Sequence, residues 1–338
     1  MKFKRLSVGN MIYGTNSPAD DESGYVSFND PAFAEHYKDP SAPNYSQIHK
    51  FLLHMAVCHS VLIFKSMKDG QEICEYNASS PDELAFVNFV KKYDFEFINR
   101  TANGKIIIRH NGVNIEYDLL QLLEFTSTRK RMSVIIRDNG RIKLLSKGAD
   151  NIIFARLEDQ TQMGNIVAHL KEFASYGLRT LVLGERNLTE EEYKNWAKEY
   201  NEVQANVTNT EAQIESVREK IENNLLLVGA SAIEDKLQDC VPETIDMLKD
   251  AGIKFWVLTG DKLETAKSIA KSSGIIKQTT YELSIENYNN VEKDLNKITD
   301  KIAQLQNTNE ENDLALFLSG EALPSILEEK KFKKIVLC

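Results

Sequence analysis

The sequence predicts an α+β module built on an antiparallel sheet, followed by an incomplete α/β module built on a parallel sheet. From Asp94 to Arg156, short alternating runs are separated by the hairpin signals Asn103-Gly104, Asn111-Gly112 and Asp138-Asn139-Gly140. After Leu225, strand and helix patterns alternate instead, which is typical of a parallel sheet wound right-handedly. The length of 338 residues also suits about two domains. We therefore expect two modules with a boundary near residue 224.

Three stretches precede the predicted antiparallel sheet. Residues 14–47 are rich in Ser, Asn, Asp and Pro, which is typical of a long loop or partly ordered insertion. His49–Phe64 has the apolar body of a helix. A second helix begins after Ser80, with Pro81 in its first turn and Glu83 three residues after the cap. Ser80 and Glu83 then form a capping box, which explains Glu83 without any functional role.

Helices also follow the sheet. A helix over about 160–176 ends at Gly177, and the strand "LRTLVLGERNL" comes next. Residues 189–223 are polar and charged with helical character. They predict either a surface hairpin or one long solvated helix.

The second predicted module begins with "LLLVGASAIED", which has the pattern of a continuous buried strand. A helix over "DCVPETIDMLKDAG", a strand at Lys254–Leu258 and a further helix follow. A polar insertion at about 279–313 then precedes the strand "LALFLSG".

Composition narrows the classes of function. The net charge of −9 disfavours a nucleic-acid partner. Four cysteines without a C-x-x-C pair or a paired His argue against a zinc site and for a reducing compartment. The longest apolar runs are far shorter than the roughly 20 residues that span a bilayer. We therefore expect a soluble cytosolic type of chain.

A candidate phosphate site follows the predicted strand Lys254–Leu258. In an open parallel sheet, ligands bind where a strand ends and a helix N-terminus supplies free N–H groups. Thr259, Gly260 and Asp261 lie at this position, where a hydroxyl and backbone amides can hold a phosphoryl oxygen. The alternative is that Thr259 or Asp261 merely caps the next helix.

Basic residues and one aromatic residue surround the antiparallel sheet. This set suits an adenine stack with phosphates nearby, and it comprises Phe125, Arg129, Lys130, Arg131, Lys147 and Arg179. The alternative is a solvated basic face with Phe125 in the core. The six histidines show no metal-binding spacing, and the two commonest glycine-rich nucleotide loops are absent from the sequence.

Several strings, taken together, resemble the P-type ATPases, and specifically their type IV group, the phospholipid flippases. They are "MAVCHSV", "SPDELAF", "EFTSTRKRMSVIIRD", "SKGADNIIF", "YGLRTLVL" and "GASAIEDKLQDCVPETIDMLKDAGIKFWVLTGDKLETAKSIA". Their order matches the family along essentially the whole chain. "KGAD" and "IEDKLQ" favour flippases over cation pumps.

The resemblance implies that residues 1–224 are a nucleotide-binding domain and that residues 225–338 are part of a phosphorylation domain of haloacid-dehalogenase-like fold. It also implies a role for each matching residue. Phe125 stacks on adenine with Glu83 beside it, Lys147 lines the pocket, and Arg179 and Lys130 hold phosphates. Thr259, Gly260 and Asp261 receive the γ-phosphoryl end of ATP.

The sequence departs from the family at two places. It contains neither the Asp-Lys-Thr-Gly-Thr string of the phosphorylated Asp nor the Gly-Asp-Gly-x-Asn-Asp string that binds magnesium. We therefore expect a cytosolic piece of an integral membrane protein that binds ATP without hydrolysing it. Most Mg²⁺ ligands are expected outside this chain.

The whole protein is then expected to couple ATP hydrolysis to movement of a phospholipid. The sequence does not determine whether it needs an accessory subunit. Three alternatives remain at this point. They are a cation-transporting P-type ATPase, a phosphatase of the haloacid-dehalogenase type and a non-catalytic regulatory module.

Overall fold

A nine-stranded antiparallel sheet is the largest element of the structure, a computed structural model that describes residues 1–15, 21, 23–68, 71–206, 210–260, 263–277, 279–286, 291–307 and 314–328. Its strands are β1 (Lys2–Val8), β2 (Met11–Tyr13), β5 (Glu96–Arg100), β6 (Lys105–His110), β7 (Val113–Leu123), β8 (Arg131–Asp138), β9 (Arg141–Gly148), β10 (Arg179–Leu188) and β11 (Leu226–Glu234). The strand order is β2-β1-β11-β10-β9-β8-β7-β6-β5. A separate hairpin pairs β3 (Leu62–Lys68) with β4 (Gln71–Asn77).

The hairpins predicted between residues 94 and 156 are confirmed. Asn111 and Gly112 join β6 to β7, with φ angles of 49° and 77°. Asn139 and Gly140 join β8 to β9 with nearly the same angles, 47° and 79°. Two consecutive positive φ values are typical of the tight turn whose twist matches antiparallel strands.

Helices cover both faces of this sheet. They are α1 (Pro31–Lys38), α2 (Tyr45–Val57), α3 (Pro81–Lys92), α4 (Asp150–Phe154), α5 (Ile166–Ser175), α6 (Glu190–Ala205) and α7 (Glu211–Ile221). Side chains alternate along each strand: Val134 and Ile136 join the core under α2 and α3, whereas Ile135 joins the core under α4–α7. The 189–223 segment is therefore a helical hairpin, one of the two predicted forms.

Two boundaries before the sheet differ from the prediction. The loop-rich segment 14–47 contains the helix α1. The helix expected at His49–Phe64 begins at Tyr45 and ends at Val57, and β3 follows. The last residues of the predicted helix, Leu62 to Phe64, belong to β3 instead, because β-branched and aromatic residues fit a pleated surface well.

The strand expected to open the second module belongs to the first sheet. β11 pairs antiparallel with β1 along one edge and with β10 along the other. The first compact unit accordingly comprises Met1–Phe173 and Leu178–Lys236, and it ends later than residue 224.

The strand expected at Lys254–Leu258 is absent. Its expected neighbour, β11, is paired along both edges within the first sheet. Residues 254–258 are irregular, and the side chain of Leu258 is 93% exposed.

The second unit comprises Ala174–Gly177 and Leu237–Cys338. Its elements are α8 (Val241–Asp250), α9 (Leu263–Ser272), β12 (Tyr281–Ile285), α10 (Val291–Asn307), β13 (Leu314–Leu318) and α11 (Leu323–Glu328). β12 and β13 are parallel and joined through α10, as a strand–helix–strand unit requires. β12 and α10 both lie inside the predicted polar insertion. The predicted haloacid-dehalogenase-like sheet stays a prediction.

Within the ranges given above, no helix has the length and apolar character needed to cross a membrane.

Gly229 offers a test of where β11 lies. A Cβ atom at this position would stand 2.5 Å from the Ser7 carbonyl oxygen and 3.0 Å from the Phe51 ring. We expect Gly229→Ala to lower the free energy of unfolding by about 1–3 kcal/mol, because backbone cannot move aside cheaply. Gly320→Ala, where a Cβ would meet nothing within 4 Å, is the control. Equal urea denaturation midpoints for the two variants would contradict the pairing of β11 with β1.

Candidate functional site

Two buried charges form the centre of the candidate site. Glu83, in the first turn of α3, and Lys147, near the end of β9, are 4% and 6% exposed. Their Oε1 and Nζ atoms are 2.7 Å apart. The other carboxylate oxygen, Oε2, accepts hydrogen bonds from the Ser60 amide at 2.9 Å and from the Ser60 hydroxyl at 2.7 Å. The pair therefore joins α3, the segment after α2 and the sheet.

The carboxyl group of Glu83 stays ionised far below neutral pH. Burial by itself raises its pKa, but the Lys147 charge and the hydrogen bonds from Lys147 and Ser60 outweigh it. The pKa falls to about 2. A buried carboxylate with three donors is thus kept as an anion.

The capping box predicted for Ser80 and Glu83 is wrong. The Ser80 side chain makes no capping hydrogen bond, and the Glu83 carboxylate faces Ser60 and Lys147. A buried ammonium group needs a counter-charge, whereas an amide at a helix start can be solvated. That difference explains the direction in which Glu83 points.

Phe125 lies on the turn between β7 and β8, and its side chain is 60% exposed. The alternative that placed Phe125 in the core is therefore wrong. The Lys130 amide donates to the Thr126 carbonyl oxygen at 2.8 Å, and the Lys130 carbonyl oxygen accepts from the Ala149 amide at 3.0 Å. These bonds hold the turn against the end of β9, two residues from Lys147.

The three consecutive basic residues have different environments. Lys130 is exposed, with a φ of 51°. Arg129 and Arg131 are buried and form ion pairs with Glu222 and Glu215. The sequence also allowed these three residues to form a solvated basic face. Only Lys130 of the three is exposed, so that face does not form.

Arg179 begins β10 at the same end of the sheet, since Leu183 of β10 pairs with Lys147. Its partly exposed guanidinium group lies 3.8 Å from a carboxylate oxygen of Asp82, the residue before Glu83. Burial raises the pKa of Asp82, and the charge of Arg179 opposes that shift. Asp82 and Ser60 are site residues that sequence reasoning missed. Their positions inside "SPDELAF" and "MAVCHSV", both carrying the resemblance, were the available signal.

Thr259 and Gly260, in the second unit, are exposed and follow irregular chain. Asp261 lies outside the described residues, so the role of this turn stays a prediction.

In the portion of the chain that the structure describes, no cluster of three or more His, Cys, Asp or Glu residues could hold a metal ion. The Mg²⁺ that the resemblance implies therefore stays a prediction.

The Glu83 pair predicts a distinct pH dependence. Because its folded-state pKa of about 2 lies below the ordinary value of 4.5, Glu83 contributes stability above pH 4.5 that is lost as the pH falls towards 2. We expect Glu83→Gln to lower the free energy of unfolding at pH 7 by about 3–5 kcal/mol, because Lys147 stays buried without a counter-charge. The difference from wild type should shrink at pH 3.5, as urea denaturation at both pH values would measure.

Two controls isolate this effect. Glu116→Gln removes an exposed partner of Lys105 and should change stability by less than about 1 kcal/mol. Burial lowers the pKa of His54 to about 4, and Glu83 does not contribute to that shift. Burial also lowers the pKa of His59 to about 3, and the Glu83 charge opposes this shift. Removing that charge lowers the His59 pKa further, so His59 stays mostly neutral in both folded proteins at pH 3.5. A difference independent of pH would contradict the depressed pKa of Glu83.

Comparison with known proteins identifies the family. A family model described as P-type ATPase, cytoplasmic domain N, matches residues 47–239, more than half of the chain. The match includes Glu83, Phe125, Lys147 and Arg179, and it ends before Thr259.

Three curated relatives of this chain are all named phospholipid-transporting ATPases. The phospholipid-transporting ATPase DRS2 of Saccharomyces cerevisiae is 38% identical over all of this chain and 26% of its own length. The phospholipid-transporting ATPase tat-1 of Caenorhabditis elegans is 42% identical over 96% of this chain and 28% of its own length. Phospholipid-transporting ATPase 10 of Arabidopsis thaliana is 42% identical over 86% of this chain and 24% of its own length.

The chain spans about a quarter of the length of these relatives. With the domain match and the relatives taken together, the chain belongs to the P-type ATPase family, in its phospholipid-transporting type IV group.

Proposed function

We propose that this chain binds ATP at the end of the first sheet where β8 begins and β9 ends. The observation that carries the proposal is the exposed ring of Phe125 on a turn held beside the buried Lys147–Glu83 pair. An exposed aromatic ring next to fixed charges is the arrangement that a purine base with phosphates requires. Family membership supports the same reading.

Each residue of the site has a role in this proposal. The ring of Phe125 stacks on adenine. Lys147, whose Nζ atom also lies 5.4 Å from the centre of the Phe86 ring, forms the charged floor of the pocket. Glu83 holds Lys147 in place and lies beside the base. Arg179, with a planar fork of donors, and the exposed Lys130 bind phosphate oxygens.

The rest of the proposal concerns the whole protein. Its relatives are named phospholipid-transporting ATPases, and we extend that activity to the protein that contains this chain. ATP would phosphorylate an Asp outside the present sequence, and the cycle would move a phospholipid between leaflets. Thr259, Gly260 and Asp261 would receive the γ-phosphoryl end, where positioning and charge neutralisation supply most of the catalysis. The 338 residues would bind ATP without turnover, because they lack the nucleophile's string.

Replacement of Phe125 tests the site. We expect Phe125→Ala to weaken binding of a fluorescent ATP analogue by about 5- to 150-fold, because a base stacked on an aromatic ring gains about 1–3 kcal/mol. Titration of the 338-residue chain measures this directly.

Phe64→Ala is the matched control. Phe64 is similarly exposed, at 54%, but lies on the separate β3–β4 hairpin. It should leave the affinity unchanged. Equal affinities for wild type and both variants would remove the assignment of the nucleotide site.

A further inference from the structure

A buried ion cluster lies behind the turn that carries Phe125. Arg129 is at its centre: one guanidinium nitrogen donates to the carbonyl oxygen of Glu124, the residue before Phe125. A second nitrogen donates to both carboxylate oxygens of Glu222, at 2.6 and 2.7 Å. The Nε atom lies 2.8 Å from a carboxylate oxygen of Glu215. A single side chain thus links the Phe125 turn to helix α7.

Glu222 caps the C-terminal end of α7 and is fully buried. Besides Arg129, it accepts hydrogen bonds from Arg131 at 2.7 Å and from the Ser133 hydroxyl at 2.5 Å. The Ser133 hydroxyl lies 2.9 Å from that of Ser146, the residue before Lys147. Glu222 therefore balances two buried cations and contacts the sheet beside the candidate site.

The position of the Phe125 ring depends on its backbone, because an exposed side chain gains little from packing. Within the turn, the Arg129 amide also donates to the Thr126 hydroxyl at 3.1 Å. Arg129 thus holds the chain on both sides of Phe125, through its guanidinium group at Glu124 and through its amide at Thr126.

We infer that Arg129 and Glu222 are positioning residues for nucleotide binding, an inference that rests on the function proposed above. Neither needs to touch the nucleotide. Glu222 fixes the guanidinium group of Arg129, which fixes the Glu124 carbonyl group and so the stacking position of Phe125. The α6–α7 hairpin thereby sets the affinity for ATP through a residue at its end.

A double-mutant cycle separates positioning from general destabilisation. Glu222→Gln is made in the wild-type and Phe125→Ala backgrounds of the 338-residue chain, and each is titrated with the fluorescent ATP analogue. Thermal unfolding checks that each variant is folded at the titration temperature. We expect about a fivefold loss of affinity in the wild-type background, part of what a full stack supplies, and less than about twofold without Phe125. The same loss in both backgrounds would overturn the inference.

Two further variants keep the test decisive. Arg129→Lys keeps a charge opposite Glu222 but loses the fork that also reaches Glu124, so it should behave like Glu222→Gln, and it carries the test if Glu222→Gln does not fold. Glu199→Gln is the control, since Glu199 lies on the same helical hairpin and pairs with Lys220, away from the cluster. It should bind as wild type does.

The outcomes also separate this inference from the proposed function. If Phe125→Ala alone binds like wild type, the proposed site is wrong and the inference with it. If Phe125→Ala weakens binding while Glu222→Gln and Arg129→Lys do not, only the inference is wrong.

Discussion

The buried ion pair between Lys147 and Glu83 is the constraint on which the candidate site depends. An ammonium group held away from water is very costly unless a counter-charge and hydrogen bonds compensate it. Glu83 supplies both, so α3 must begin against the end of β9. The same carboxylate binds Ser60, and the neighbouring Asp82 faces Arg179. This pair thus sets where α3 and the segment after α2 contact the sheet. They contact it at the end of β9, beside the Phe125 turn.

Local signals were enough to predict much of the first unit. The Asn-Gly pairs require positive φ angles, and the structure has them at Asn111-Gly112 and Asn139-Gly140. Ion pairs between residues far apart in sequence could not be predicted from local signals. Ser80 and Glu83 match a capping box locally, but the partner that decides the direction of Glu83 is Lys147, 64 residues away. From sequence alone, Arg129 and Arg131 could belong to a basic surface. In the structure they are buried and paired with Glu222, about 90 residues later in the chain.

The second unit shows why an apolar run alone does not determine a strand. Residues 225–233 and 254–258 both have the pattern of a buried strand, but among the described residues the first run pairs with β1 and β10, whereas the second is irregular. The polar segment 279–313, in contrast, contains β12 and α10 with their own small core. Pairing partners, more than hydrophobicity, decide these elements.

Amide hydrogen exchange with and without ATP tests the central claim most directly. The account predicts that ATP slows exchange at residues 124–131 and 146–149, on the two chain segments that the ion pair and the Phe125 turn bring together. The first unit also has a groove of about 350 Å³ between α2 and β6–β7, lined by His49, Phe95 and His110 among others. Protection confined to that groove, with residues 124–131 unchanged, would contradict the account.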